Sequence, residues 1–417
     1  MVNVFAKTIA DDPKYRGVLP ADFLHGYASA AYQVEGGASE GGRGPCLWDV
    51  ALQKYPDNGE EACMSYHLWE EDIKLLQRYG ARSYRFSISW SRIKPLGGKD
   101  TPINERGVEY YNHLIDGLIR AGIEPTVTLF HYDTPQALQD RYRGFAAVDP
   151  AELIEDFVEY ARVCFQRFGD RVKRWLTINE PYIWAIHMFD HLENWTKADF
   201  MRSATVKGTQ TDGWDAWGDL FLRFSDEELK LVQGSSDFFS INHYGTMYAT
   251  GKPYTEADSI GWQTMDEVNK TWVKEGKLIG KRGENGHPHN VGWGFRKLLV
   301  HCWEEYVKKL DMPIYVYENG FPVEHEAEMP LEQIIDDKDR QQFYSDYIQG
   351  LCDAVLDHGV KIEGYHCWSL LDNLEWTCGY TPRFGVTYVD KENGFKRIPK
   401  NSAKSVQAIW NHVVRKE

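Results

Sequence analysis

Two glutamates in this 417-residue chain stand where a pair of catalytic carboxyl groups could work. Glu180 follows the apolar run Lys173–Ile178 in the stretch Thr-Ile-Asn-Glu-Pro, and Glu318 follows Pro313–Tyr317 in Tyr-Glu-Asn-Gly. A lone glutamate at the end of a strand more often caps a helix or solvates a loop. Two in matching positions point to shared chemistry. Glycosidic bonds are commonly cleaved by such a pair: one carboxyl protonates the leaving oxygen, and the other attacks the anomeric carbon or activates water.

Other chemistries leave weaker traces. The glycine-rich stretch Gly36–Gly44 lacks the Gly-Lys-Ser/Thr ending of a phosphate cradle and reads as a loop. His287-Pro-His289 reads as an exposed loop, and the 14 histidines form no HExxH pattern or Cys/His cluster. The expectation is an enzyme without metal or cofactor.

The two glutamates must be held by rigid elements, and the sequence supplies a regular alternation. Short runs rich in β-branched and aromatic residues predict strands at Asp22–Ala28, Arg82–Ile88, Glu124–Phe130, Lys173–Ile178, Asp237–Ile241, Pro313–Tyr317 and Ile362–Trp368. Helical patterns lie between them at Tyr66–Tyr79, Glu105–Ala121, Pro150–Phe168, Glu228–Gln233, Gly294–Leu310 and Lys338–His358. Asp149 is expected to cap the third helix, with Glu152 completing a capping box, and Ser225 with Glu228 repeats that pattern. Alternating strands and helices imply a parallel sheet, open or closed. Polar and aromatic residues recur just past the strand ends: His131 and Asp133, Asn179 and Glu180, Asn242 and Tyr244, Glu318 and Asn319, Trp368 and Asp372. In a closed barrel those ends converge on one mouth, which favours the barrel over the open sheet. No linker divides the chain, so residues 1–417 are expected to form a single domain.

The bulk numbers agree with a globular enzyme acting on a small molecule. A formal net charge of −15, with no basic face in the sequence, argues against nucleic acid as a partner. No apolar run approaches a membrane span, and the first residues lack the apolar core of a secretory signal. The seven cysteines form no CxxC pair, which suits reduced thiols and a cytoplasmic location. Aromatic residues make up 14% of the chain, enough to fill a core or to line a sugar site. Free thiols and exposed aromatics permit a homo-oligomer without requiring one.

Seven blocks in order make the chain resemble glycoside hydrolase family 1, the β-glucosidase family, from about Leu19 onward. They are Gly26–Gly36 (GYASAAYQVEG), Tyr84–Ile93 (YRFSISWSRI), Thr128–Leu138 (TLFHYDTPQAL), Leu176–Pro181 (LTINEP), Asp237–Tyr244 (DFFSINHY), Tyr317–Pro322 (YENGFP) and Trp368–Asp390 (WSLLDNLEWTCGYTPRFGVTYVD). The resemblance implies an α/β fold, the (β/α)8 TIM barrel, and a retaining β-glycosidase with Glu180 as acid/base and Glu318 as nucleophile. Retention implies carboxyl groups about 5–5.5 Å apart. Gln33, His131, Asn179, Glu375 and Trp376 match positions that bind sugar hydroxyls, and Trp368 matches the aromatic floor beneath the ring. Arg85, Asn242 and Tyr244 match neighbours that orient the nucleophile, with Tyr244 also counted in the substrate-binding set. The implied substrates are unphosphorylated O-linked β-glucosides or cello-oligosaccharides. A sugar phosphate would be repelled by Glu375, and thioglucosides need no acid such as Glu180.

The chain also departs from the family. Asn179 and Asn242 are only 63 positions apart, where family members place far more chain. The fifth βα unit is therefore expected to be shortened or degenerate, with Gly218–Phe224 as its best strand candidate and Ile183–Ser203 reading as a helix. A shortened barrel keeps a second reading open, a catalytically impaired member that binds sugar or serves as a scaffold. Interception of the same intermediate by an alcohol would give a third, transglycosylation. Tyr132 replaces the family's tryptophan after His131, His25 replaces one before Gly26, and Tyr317 stands in place of threonine before Glu318.

Overall fold

A computed structural model describes residues 8–147, 149–181, 183–184, 225–251 and 268–416. The chain falls into two compact units, one of Met1–Ala28, Phe238–Asn373 and Tyr380–Glu417, the other of Ser29–Asp237 and Leu374–Gly379. The Gly218–Phe224 strand candidate lies outside the described residues, as does all of Ile183–Ser203 beyond Trp184.

In the first unit four parallel strands run in the order β1 (Leu24–Ala28), β7 (Ile362–Trp368), β6 (Ile314–Asn319) and β5 (Phe239–Asn242). Helices α5 (Gly292–Cys302), α6 (Lys338–His358) and α7 (Asn401–Val413) belong to the same unit. In the second unit β2 (Ser83–Ser87), β3 (Glu124–Phe130) and β4 (Arg174–Ile178) are parallel neighbours. They alternate along the chain with α1 (Ser65–Arg78), α2 (Glu105–Arg120) and α3 (Ala151–Phe168), and α4 (Asp226–Val232) precedes β5. Each strand starts and ends within two residues of the expected bounds. The inner strands are buried on both faces, as in a helix-covered parallel sheet. All five residues of β2 and all six of β6 are buried.

The outer strand of each unit is less covered. β4 has no fully buried residue, and neither has β5. On α3, Ile154, Val158 and Phe165 are exposed, beside an open groove lined by Leu129, Phe157, Ala161 and Thr177. These features flank the interval that the sequence marks as short.

Three local expectations need comment. Ser225 and Glu228 do form the reciprocal capping box at α4. At α3 the cap position is Pro150: Asp149 accepts from the Ala151 N–H at 3.0 Å, while Glu152 pairs with Arg141 at 3.2 Å and closes no box. The expected helix Gly294–Leu310 is broken. Its α-helical part ends at Cys302 and a wider π turn, Trp303–Val307, follows, which keeps Trp303 and Val307 both buried.

Candidate active site

In the second unit, β3 and β4 deliver their terminal residues side by side. The register pairs Phe130 with Ile178, so His131 and Tyr132 emerge beside Asn179 and Glu180. Arg85 reaches them from β2. Its guanidinium is fully buried, and donates to Thr128 Oγ1 at 2.8 Å and to Asn179 Oδ1 at 2.7 Å. That second bond fixes the orientation of the Asn179 amide, because its oxygen must face the cation. The amide nitrogen then lies 3.2 Å from His131 Nε2 and 3.3 Å from the Tyr132 hydroxyl. Burial, with the nearby Arg85 charge, holds the His131 pKa well below the ordinary histidine range. His131 is therefore neutral, and its Nε2 accepts from Asn179.

The Tyr132 hydroxyl also approaches Glu180 Oε2 at 3.1 Å. Its ring stacks on Trp184, with centroids 5.1 Å apart and planes 8° from parallel. Trp376 closes this cluster, stacked with His131 at 6.0 Å and Tyr32 at 6.4 Å, and tilted against Trp48 at 4.8 Å. Gln33, buried, donates from Nε2 to the Leu374 carbonyl at 2.9 Å and to Glu375 Oε2 at 3.2 Å. Three members of the group hold backbone conformations that side chains rarely adopt, with φ of 73° at Tyr132, 36° at Glu180 and 49° at Trp376. Such strain, clustered where side chains are aimed at one another, is typical of functional sites.

In the first unit the second glutamate is held differently. Glu318 is 3% exposed, and Tyr244 donates to its Oε2 at 2.6 Å. The register of β6 on β5 shifts between Val316 and Glu318, so the irregularity at Tyr317 sets Glu318 opposite Asn242. A bulge of this kind re-aims a side chain at the end of a strand. The Tyr347 hydroxyl donates to the Tyr244 carbonyl at 3.0 Å, which fixes the tyrosine from behind. Asn319 turns away from Glu318, donating to the His243 carbonyl and accepting from Tyr365. Gly320 must be glycine, because a Cβ there would lie 1.8 Å from the Trp368 carbonyl. Trp368 ends β7 with its ring buried, and its carbonyl accepts from Tyr344 at 3.2 Å.

The structure thus groups Gln33, Arg85, His131, Asn179, Glu180, Glu375 and Trp376 in one unit, and Asn242, Tyr244, Glu318 and Trp368 in the other. Arg85 shows its bonds to Asn179 and Thr128, so within its own unit it orders the neighbourhood of Glu180. His289 of the His-Pro-His stretch is buried and stacked on Trp272 at 5.0 Å, a correction to its reading as part of an exposed loop. Among the described residues no group of three or more His, Cys, Asp or Glu is arranged to hold a metal.

Sequence reading missed two features. One is the Tyr132–Glu180 bond, for which the only signal was an unexpected tyrosine. The other is a buried charge cluster in the first unit. Lys400 bridges Asp372 at 2.9 Å and Glu326 at 2.6 Å, while Arg340 pairs with Glu326 and with Asp337 at 2.7 Å. Burial works against ionisation of Glu326, but Arg340 and Lys400 outweigh it and hold its pKa below the usual range. Asp372, noted among the strand-end residues, turns into this cluster and also accepts from the Gly385 N–H at 2.9 Å.

A strand–helix repeat with a glutamate at the end of its fourth strand and another in its sixth, each among polar and aromatic neighbours, defines a glycosidase of the barrel class. The chain belongs to glycosyl hydrolase family 1, whose model matches residues 15–195 and 199–413. Its fold is accordingly the α/β (β/α)8 barrel. It is similar to beta-glucosidase 1B of Phanerodontia chrysosporium, 38% identical over 472 positions covering 93% of this chain and 84% of that protein. That alignment is longer than the chain itself, so the relative carries stretches this chain lacks. The family match also breaks at residues 196–198, inside the short interval. Among solved structures, a family 1 β-glucosidase from Humicola insolens in complex with glucose superposes with a TM-score of 0.85 at 35% identity, covering 96% of this chain and 99% of that one. A Glu→Gln mutant of the rice Os3BGlu6 β-glucosidase, in a covalent complex with Glc, gives 0.83 at 31% identity, covering 96% and 99%.

Proposed function

We propose that this protein is a retaining β-glucosidase that hydrolyses unphosphorylated O-linked β-glucosides, cello-oligosaccharides among them, by double displacement. The Glu318 carboxylate attacks the anomeric carbon while Glu180 gives its proton to the departing oxygen. Glu180, now ionised, takes a proton from water, which attacks the same carbon and releases Glu318 with net retention.

The observation that carries this reading is a pair of glutamates at two strand ends, each held by a tyrosine phenol, within a family 1 chain. Glu318 accepts a short bond from the Tyr244 phenol, which holds the carboxyl group in one orientation for attack. Glu180 sits at the end of the Arg85–Asn179–Tyr132 chain of bonds. The rice relative's covalent complex with Glc supports the double displacement, and the glucose complex of the Humicola relative supports the sugar. The Gln33–Glu375 pair offers an anionic acceptor suited to sugar hydroxyls and repellent to phosphate. The seven cysteines are all free thiols, in keeping with a cytosolic setting. The reading of a non-catalytic sugar binder is not favoured, because the related proteins at 31–38% identity carry β-glucosidase names and both glutamates are intact here.

Hydrolysis of an aryl β-glucoside by the purified protein, beside Glu318→Gln, tests the proposal. Turnover is expected in the wild type and a fall of about a millionfold in the variant, the scale seen when a covalent nucleophile is removed. A folded wild-type protein with no turnover would overturn the enzymatic reading.

A further inference from the structure

Tyr132 occupies a position from which it can act directly on Glu180. Its hydroxyl lies 3.1 Å from Glu180 Oε2 and 3.4 Å from the Glu180 carbonyl. The side chain is 3% exposed, and the backbone sits at φ 73°, a conformation a tyrosine pays to hold. Proton accounting decides the direction of its bonds. Asn179 Oδ1 is taken by the Arg85 guanidinium, so the Asn179 atom 3.3 Å from the phenol is the NH2, which donates. The phenol oxygen accepts that proton and has one of its own to give, and Glu180 is where it points.

The result is a chain of donors, Arg85 to Asn179 to Tyr132 to Glu180, whose first three members are buried and in which each bond polarises the next. The other charged or titratable groups around it are few. His131, neutral, takes the second proton of the Asn179 amide at 3.2 Å. Among the described residues, the other ring neighbours of Tyr132 include Trp184 and Trp376, which carry no charge.

We propose that Tyr132 is a positioning residue for the acid/base: its O–H fixes the Glu180 carboxyl group and favours its ionised form, sharpening proton donation to poor leaving groups. This rests on the reading of Glu180 as acid/base. A hydrogen bond given to a carboxylate stabilises the ion more than the acid, so the bond makes Glu180 a stronger acid. Removing the bond raises the pH at which Glu180 loses its proton and slows reactions that depend on it. An alkyl leaving group needs a proton in the transition state; 2,4-dinitrophenolate hardly does.

The test compares kcat/KM across pH for methyl β-glucoside and 2,4-dinitrophenyl β-glucoside in wild type, Tyr132→Phe and Tyr132→3-fluorotyrosine. Phenylalanine keeps the ring against Trp184 and removes only the donor; fluorotyrosine keeps the shape and strengthens it. In Tyr132→Phe the alkaline limb is expected to move up by about half a pH unit or more. The loss on the methyl glucoside is expected to exceed that on the dinitrophenyl glucoside by about fivefold or more. Fluorotyrosine is expected to move the limb the other way, and carries the test by itself if the phenylalanine protein does not fold. An unchanged limb and an unchanged preference between the two substrates would overturn the proposal. Glu180→Gln, assayed with and without azide, keeps the two readings apart. Collapse on the methyl glucoside with azide rescue on the dinitrophenyl glucoside upholds the acid/base assignment whatever Tyr132 does. Wild-type activity in Glu180→Gln would remove that assignment itself.

Discussion

Asp133 follows Tyr132 and is 1% exposed, yet its environment differs from that of either glutamate. Burial raises its pKa from 3.8 to about 8, only partly offset by the Arg43 charge. The folded protein therefore keeps a neutral carboxyl at neutral pH. Between about pH 4 and 8 unfolding releases that proton, so stability drains away as pH rises through this window and levels off above it. Asp133→Asn removes the titrating group at nearly constant shape. Its stability relative to wild type should therefore improve from pH 4 to pH 8, by more than about 1 kcal/mol, in urea denaturation followed at several pH values. A difference that stays constant with pH would refute this account. The two glutamates themselves were legible in the sequence, because each follows a strand-like run in a distinctive local setting. Tyr132 was visible only as an odd residue. Its role depends on which Asn179 atom faces it, and that follows from Arg85, which lies 94 positions away from Asn179.

At the level of elements, strand ends were the informative feature. A period-two or all-apolar run that stops abruptly at His131, Asn179 or Asn242 marks where the backbone leaves the sheet, and the structure ends β3, β4 and β5 within one residue of those points. Less was legible in β6, whose register shift at Tyr317 depends on its neighbours and not on its own pattern. The same holds for the charge cluster, in which packing brings Glu326, Asp372 and Lys400 to the local pair Asp337 and Arg340. This cluster holds the segment that leads to Glu375, since Asp372 lies three residues before it. Lys400→Met would leave Asp372 and part of Glu326 as buried carboxylates short of a cation. A destabilisation of about 3–5 kcal/mol is expected, with a raised KM for β-glucosides as the following loop loosens. Chemical denaturation and initial rates measure both, and an unchanged midpoint would show that the cluster is dispensable.

For the whole molecule the question set by the sequence was whether so short an interval between Asn179 and Asn242 is compatible with the family's chemistry. The alternation of strands and helices, the order of seven motifs and the family match all describe a β-glucosidase barrel. On either side of the interval β4 and β5 have no fully buried residue. Among the described residues Tyr244 reaches Glu318, and Tyr132 reaches Glu180. Full double-displacement chemistry is therefore expected from a shortened chain. The most direct test is to incubate the protein with 2,4-dinitrophenyl 2-deoxy-2-fluoro-β-glucoside, which traps a glycosyl-enzyme, and to locate the label by mass spectrometry of peptides. One fluoroglucosyl group per chain, on Glu318, is the predicted result. A folded protein that takes no label, or takes it on another residue, would contradict the central claim.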